Sequence, residues 1–240
     1  MFSSFPRARR AFTVIELLTV IAIIAILMAL LLPALNAAKN AAKKAQAKTD
    51  GQSLANAVMS FYHDYGAYPL NQSNAKGGLD GWDTCYGNPP PELYTTADLC
   101  DILRAIPDTN FNQNNQLNPR QQVYFEPAMA KGGTSPHGGL VTVSGAKEPT
   151  GGSVPYGGYV DPWGMEYVVF IDSNYDGSLS TLTPEENLEG ATSAAMSWFY
   201  NPPVPVVNCG CAAVSLGPDS NWGTAGNGIF QGSDDIATWQ

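Results

Sequence analysis

The sequence predicts an α+β chain, in which one long N-terminal helix packs on a small antiparallel β-sheet domain with long loops. An apolar run near the N-terminus continues into a helical pattern rich in alanine and lysine. Segments with β-forming residues appear only in the last third, between turn residues. Charged residues make up 14% of the chain, beside 24 Gly and 18 Pro, which favours a turn-rich domain over a helical bundle.

The first element is an apolar run from Phe12 to Leu32, whose 21 residues include a single charged side chain. A helix of this length spans roughly 30 Å, the thickness of the hydrocarbon core of a bilayer. Three arginines precede the run, so we expect the N-terminus to stay cytoplasmic and the rest to cross. A cleaved signal peptide has a shorter apolar region and a small-residue cleavage site. That reading and an unprocessed single-pass anchor are the two alternatives.

The charged residue in the run is Glu16. A carboxylate near the centre of a bilayer costs roughly 2.5–3.5 kcal/mol, so it normally has a partner. A cut between Ala11 and Phe12 would create an α-amino group four residues before Glu16. That amine could neutralise the carboxylate, either within the chain or from a neighbouring subunit. A pair between subunits would set the axial register of a helical assembly.

The segment RRAFTVIELLTVIAIIAIL resembles the N-terminal methylation motif of type IV pilins and type II secretion pseudopilins. The resemblance implies that a prepilin peptidase cuts between Ala11 and Phe12 and methylates the new amine. It also implies that Glu16 is the glutamate that directs assembly. The family usually has Gly where this chain has Ala11. Alanine is a mild replacement, so we expect cleavage to persist at a lower rate.

Pro33 follows the apolar run directly. Proline removes a helical hydrogen bond and can kink or locally melt a helix. The family commonly has a proline here, where the packed helix can stretch, although Pro33 is equally explained as the simple end of the span. The helical pattern resumes from Ala34 to Tyr65 and ends at Gly66 and Pro69. The apolar face that should pack on the domain consists of Leu54, Val58, Phe61 and Tyr65.

The predicted organisation has five parts: a cytoplasmic leader (1–11), a transmembrane helix (12–33), its continuation into the domain (34–66), a variable loop region (67–160), and a β-sheet with a C-terminal loop (161–240). A short helix is expected near Ala97–Ala105. The predicted strands are Tyr167–Ile171, a segment around Ala194–Tyr200, and Ala212–Leu216. The segment DPWGMEY, residues 161–167, resembles the DPWG-x-x-Y pattern of major pseudopilins of type II secretion, where it opens the small sheet.

The cysteines are Cys85, Cys100, Cys209 and Cys211. An even number in an exported domain permits disulfides with three pairings, and a Cys85–Cys100 link would staple the loop region. Free thiols are the alternative. The Cys209-x-Cys211 spacing is tight for two zinc ligands, and only His63 and His137 could assist, so we predict no zinc site.

A first candidate cation site is the run Asp172-x-Asn174-x-Asp176, which a glycine follows. It matches the start of an EF-hand loop, in which oxygen ligands alternate along the turn. The twelfth position is Thr183 and not Glu, and no helices flank the loop convincingly. A turn rich in Asp and Asn, without a bound ion, is the alternative explanation of the same residues.

A second candidate is the tail SLGPDSNWGTAGNGIFQGSDDIATWQ, which resembles the C-terminal calcium loop of major pseudopilins. The resemblance implies carboxylate ligands from Asp219 and Asp235 and a backbone carbonyl from Leu216, with Asp234 as a substitute. Calcium takes 6–8 oxygens, so further carbonyls and water would complete the shell. The alternative is an exposed acidic loop held by its aromatic residues. The segment between the two ends is longer than in the family.

We predict a structural protein and not an enzyme, because the chain contains no catalytic motif and therefore no candidate catalytic residue. The net charge of −9 argues against a nucleic acid partner. The resemblance implies a single-pass protein of the bacterial inner membrane with a periplasmic domain, in contact with membrane lipid. It would assemble with copies of itself into a helical pseudopilus and work with prepilin peptidase, the inner-membrane secretion platform and other pseudopilins. The alternatives are a type IV pilus subunit for adhesion, motility or DNA uptake, and a membrane-tethered binding or hydrolytic domain.

Overall fold

The computed structural model describes residues 13–70, 83–87, 94–107, 112–179, 208–221 and 233–238. Contacts divide the chain into two compact units, residues 1–42 and 43–240. The helices are α1 (Val14–Tyr65), α2 (Thr96–Leu103) and a short 3-10 helix (Gln113–Asn115). The strands are β1 (Thr84–Tyr86), β2 (Gly139–Leu140), β3 (Ala146–Lys147), β4 (Ser153–Val154), β5 (Tyr159–Val160), β6 (Val168–Ile171), β7 (Cys211–Ser215) and β8 (Ile236–Ala237).

The first unit contains the apolar part of α1. Its described side chains are all exposed, among them large apolar ones from Val14 to Leu35. By length and composition this helix can cross a membrane. The helix continues through Pro33, whose missing N–H leaves the carbonyl of Ala29 without its usual helical donor. The predicted helical run and its end at Tyr65 are confirmed.

In the second unit, α1 packs on a four-stranded antiparallel sheet of order β1-β6-β7-β8. Leu54, Val58 and Phe61 are buried in the main core, as their helical spacing predicts. Gly51 lies where the helix approaches the sheet, because a Cβ at this position would be 3.2 Å from the Thr238 methyl group. This arrangement confirms the predicted α+β fold class.

The sheet combines expected and unexpected strands. β6 and β7 coincide closely with the predicted strands and pair through Val169 and Ala213. The segment around 194–200, where another strand was predicted, lies outside the described residues. β1 and β8 have only three and two residues, and neither has a sequence pattern of its own. Both form because β6 and β7 offer them a ladder of backbone partners.

The segment predicted as a variable loop region has more order than its composition indicates. α2 forms at the expected place, and β2 pairs with β5 while β3 pairs with β4. A second small core lies between these ladders and consists of Val141, Ala146, Val154 and Val160. Such two-residue strands depend on their partners and on turn glycines, so periodicity cannot reveal them.

The packing of α1 on the sheet predicts that substitutions on its two faces differ sharply in their effect on stability. Leu54→Ala should lower the free energy of unfolding by about 2–5 kcal/mol, because it opens a cavity in the main core. Gln52→Ala, on the exposed face of the same helix, should change it by less than about 0.5 kcal/mol. Denaturant unfolding of the full chain in detergent, followed by near-UV circular dichroism, measures both. Equal effects would show that this face of α1 is not packed.

Candidate functional site

The Glu16 carboxylate is satisfied by the residue that precedes α1. The backbone N–H and the hydroxyl of Thr13 both donate to Glu16 Oε2, each at 2.8 Å. The N–H of Glu16 donates back to Thr13 Oγ1 at 3.3 Å. This reciprocal arrangement is a capping box, which satisfies free donors at the start of a helix. The Thr-x-x-Glu spacing is a sequence signal for this cap, although the cap was not among the predicted features.

The capping box uses only part of the hydrogen-bonding capacity of the Glu16 carboxylate. A carboxylate can accept about four hydrogen bonds, so the contacts with Thr13 leave capacity for a cationic donor. The N-terminus of a helix also favours a negative charge. Ala11 and Phe12, which flank the predicted cleavage site, lie outside the described residues. The pairing between Glu16 and a new amine therefore stays a prediction.

A second group of contacts centres on Asp161, which is fully buried. Its Oδ1 accepts the N–H groups of Trp163, Gly164 and Met165 at 2.8–3.0 Å. Its Oδ2 accepts the hydroxyl of Ser215, at the end of β7, at 2.6 Å. Burial raises the pKa of Asp161, and these hydrogen bonds act in the opposite direction. One carboxylate thus holds its own turn and ties that turn to β7.

Other residues of the same DPWGMEY segment contact α1. The Lys43 ammonium lies 5.6 Å from the centre of the Trp163 ring, a cation–π distance. The Tyr167 hydroxyl donates to the carbonyl of Ala47 at 3.2 Å. Gly164 has φ +102°, and a Cβ there would be 2.7 Å from the carbonyl oxygen of Pro136. The segment requires glycine at this point for both reasons.

The two ends of the C-terminal tail meet in the structure. The N–H of Asp219 donates to Asp234 Oδ2 at 3.2 Å. Gly217 has φ +70°, and a Cβ there would be 2.5 Å from the carbonyl oxygen of Asp234. Asp235 is buried just before β8, and Leu216 is buried just after β7. Asp234, which the resemblance named only as a substitute ligand, is therefore the carboxylate in direct contact with the first end of the tail.

The donor chemistry at these ends suits a hard cation only in part. Among the described residues, no three His, Cys, Asp or Glu side chains form a group that could hold a metal ion. Calcium at this place stays a prediction, and it would need Asp219 with Asp235 or Asp234, together with backbone carbonyls, such as that of Leu216, and water. The residues from 222 to 232, which link the two ends, are not described.

The EF-hand-like run uses its oxygens within its own loop. Asp172 accepts the N–H groups of Asp176 and Gly177 at 3.2 and 2.9 Å. Asn174 Oδ1 accepts the N–H of Asp176 at 3.0 Å, and Asp176 Oδ1 accepts that of Ser178 at 2.8 Å. The hydrogen bonds from Ser178 lower the pKa of Asp176. These are the contacts of an Asp- and Asn-rich turn, and calcium in this loop stays an untested prediction.

The four cysteines are free thiols in the structure. Burial raises the pKa of Cys85 to about 12 and also raises the pKa of Cys100 and Cys211. Cys85 on β1 and Cys211 on β7 are separated by β6, so their Cα atoms are roughly 9–10 Å apart. That distance exceeds what a disulfide spans. A link between Cys85 and Cys100 stays a prediction.

Comparison with known proteins gives one match. A family model described as the prokaryotic N-terminal methylation motif matches residues 6–32. No curated protein and no solved structure matches the chain. The match supports a type IV prepilin-like N-terminus and, with it, the type IV pilin and pseudopilin family. It covers only residues 6–32, the end of the basic stretch and the apolar run, and does not distinguish a pseudopilus from a pilus.

The contacts of Asp161 predict that removing this one side chain strongly lowers the stability of the fold. Asp161→Ala should lower the free energy of unfolding by about 3 kcal/mol or more, because three backbone amides and the buried Ser215 hydroxyl lose their acceptor. Glu126→Ala, which removes an exposed carboxylate from the same unit, is the matched control and should be nearly neutral. Chemical denaturation of the full chain in detergent compares them. An Asp161→Ala protein as stable as the control would contradict the role assigned to this carboxylate.

Proposed function

We propose that this chain is a structural subunit of a type II secretion pseudopilus. It is cut and methylated by prepilin peptidase in the inner membrane and then assembles with copies of itself into a helical periplasmic filament that drives protein export. The observation that carries the proposal is Glu16, the single charge in the apolar run 12–32, which lies within the segment 6–32 that matches the methylation motif. The subunit acts mechanically and carries out no reaction of its own.

The exposed apolar surface of α1 supports polymerisation. The side chains from Val14 to Leu35 are exposed around the whole helix. Apolar surface gains about 25 cal/mol for each Å² that is removed from water, so lipid or other apolar helices must cover this one. In the membrane the lipid covers it, and in a filament the same helices of neighbouring copies replace the lipid.

The axial register between copies is set by the pairing of opposite charges. Cleavage before Phe12 gives each subunit a cationic N-terminus, and Glu16 of a neighbour is the carboxylate within the same apolar layer. Before the subunits assemble, Thr13 holds that carboxylate in the first turn of α1 through two hydrogen bonds. A displaced register would leave one charge without its partner in an apolar environment, at a cost of roughly 3 kcal/mol.

The DPWGMEY segment and the acidic tail favour export over a surface pilus, because both resemble parts of major pseudopilins. The contacts of Asp161, Trp163 and Tyr167 show what this segment does in the fold, since they join it to α1 and to β7. The adhesion, motility and DNA-uptake roles of pili are the outcomes that a genetic test must separate from export.

Deleting the gene in the bacterium that encodes the chain should stop the release of exported proteins and leave adhesion, motility and DNA uptake intact. Wild-type protein should restore release. Glu16→Ala should not, since an ion pair worth roughly 3 kcal/mol corresponds to about a 100-fold change in an assembly equilibrium. Gln52→Ala, at an exposed polar position of α1, is the control and should restore release fully.

Loss of motility or DNA uptake with normal export would show a pilus subunit instead. Full activity of the Glu16→Ala protein in every assay would contradict the assembly role itself.

We also propose that the tail closes around a calcium ion held by Asp219 and Asp234. Such an ion would neutralise two carboxylates whose segments already meet at a 3.2 Å hydrogen bond. Calcium at 100 times its dissociation constant should stabilise the chain by about 2.7 kcal/mol, which a chelator should reverse. Thermal unfolding of the full chain in detergent, with calcium or with EDTA, measures this.

Variants locate the ion. Asp219→Asn and Asp234→Asn should abolish the calcium response, whereas Asp176→Asn should leave it unchanged. The reverse pattern would place the ion in the loop after β6, and no response in the wild-type protein would exclude calcium from both loops.

A further inference from the structure

Glu166 forms a buried contact that none of the roles above uses. The side chain is 3% exposed and lies in the segment before β6. Its Oε1 accepts the backbone N–H of Thr96, the first residue of α2, at 2.7 Å, and also accepts the Thr96 hydroxyl. The hydroxyl oxygen of Thr96 in turn accepts the N–H of Tyr159 in β5 at 2.8 Å. One carboxyl group therefore joins the N-terminus of α2 to two parts of the sheet region.

A second buried carboxylate, that of Glu148, accepts a hydrogen bond from the backbone of Glu166. Glu148 is 4% exposed, and its Oε1 accepts the N–H of Glu166 at 3.3 Å. Its Oε2 accepts the hydroxyl of Thr150 at 3.2 Å. Two glutamates thus share one buried site, where the ionised forms repel each other and are poorly solvated.

The charges around this pair are mostly negative. Asp98, in the first turn of α2, and Glu148 both act to raise the pKa of Glu166. Further along α2, the Cys100 thiol is also under the influence of Glu166. Arg104 acts to lower the pKa of Asp101, and both charges act on that thiol. The charges that act directly on Glu166 therefore all favour its neutral form.

We propose that Glu148 and Glu166 form a proton-operated lock that fastens the N-terminus of α2 to the segment before β6. Uptake of one proton closes the lock, because a neutral carboxyl group keeps its hydrogen bonds with Thr96 without a second buried charge. Loss of the proton leaves a negative Glu166 carboxylate buried beside Glu148 and loosens α2. The stability of the domain then depends on the pH around it.

The direction of the pH dependence of stability follows from the shift in the pKa of Glu166. Burial raises the pKa of Glu166 from 4.5 to about 7, although the hydrogen bonds from Thr96 lower it. Between these two values the folded chain holds a proton that the unfolded chain has lost, so stability falls as the pH rises through the window. Between pH 5.5 and pH 8, this group alone should change the unfolding equilibrium by roughly 30-fold.

Thermal and denaturant unfolding of the full chain in detergent, from pH 5.5 to pH 8, tests the lock. Glu166→Gln keeps an acceptor oxygen for Thr96 and removes the titrating charge. It should stabilise the protein at pH 8 and remove the roughly 30-fold component of the pH dependence. Hydrogen exchange gives a local readout, since the amides of α2 should lose protection at pH 8 in the wild type and keep it in the variant. Protection is corrected for the intrinsic pH dependence of exchange.

Two further variants separate the lock from the other acidic groups. Glu148→Gln keeps Glu166 and removes the adjacent charge, so the pH midpoint of the dependence should move lower. Glu126→Gln removes an exposed carboxylate, and its curve should run parallel to that of the wild type. Parallel curves for wild type and Glu166→Gln would overturn the proposal. So would a Glu166→Gln protein that fails to fold at pH 5.5, where the lock requires a neutral side chain at this position.

Discussion

The proposed assembly depends on one carboxylate, Glu16, which is the single charge in the apolar run from Phe12 to Leu32. Wherever this part of the helix lies, the carboxylate needs donors. In the structure Thr13 supplies two of them from within the same chain, so the subunit can exist before any partner arrives. The same contacts leave room for a cation, which the proposed cleavage would provide. A local cap and an assembly contact can therefore share one side chain.

In the second unit, buried carboxylates likewise accept hydrogen bonds from the elements that they hold together. The DPWGMEY segment carries two of them, and each holds a different element. Asp161 closes its own turn and binds Ser215 at the end of β7, while Glu166 binds the first amide of α2. Tyr167 adds a hydrogen bond to α1. A run of seven residues thus connects the helix, the sheet and the loop region, and polar contacts supplement the apolar packing between them.

What the sequence predicted depended on local patterns. The continuation of α1 to Tyr65, α2, and strands β6 and β7 each follow from residues within a few positions of one another. β1 and β8 could not be predicted, because strands of two or three residues depend on a neighbouring strand far along the chain. The Asp161–Ser215 contact spans 54 positions and has no local signal. The Thr13 cap did have one, since Thr-x-x-Glu is a capping-box pattern.

The measurement that tests the central claim most directly is mass spectrometry of the N-terminal peptide of protein isolated from its native cells. The account predicts a chain that begins at Phe12 and carries one methyl group on its α-amino nitrogen, so that each subunit brings a cationic end to the layer in which Glu16 lies. A protein that still begins at Met1, or that begins beyond Leu32, would contradict the account, because Glu16 would then lack that partner or would itself be missing.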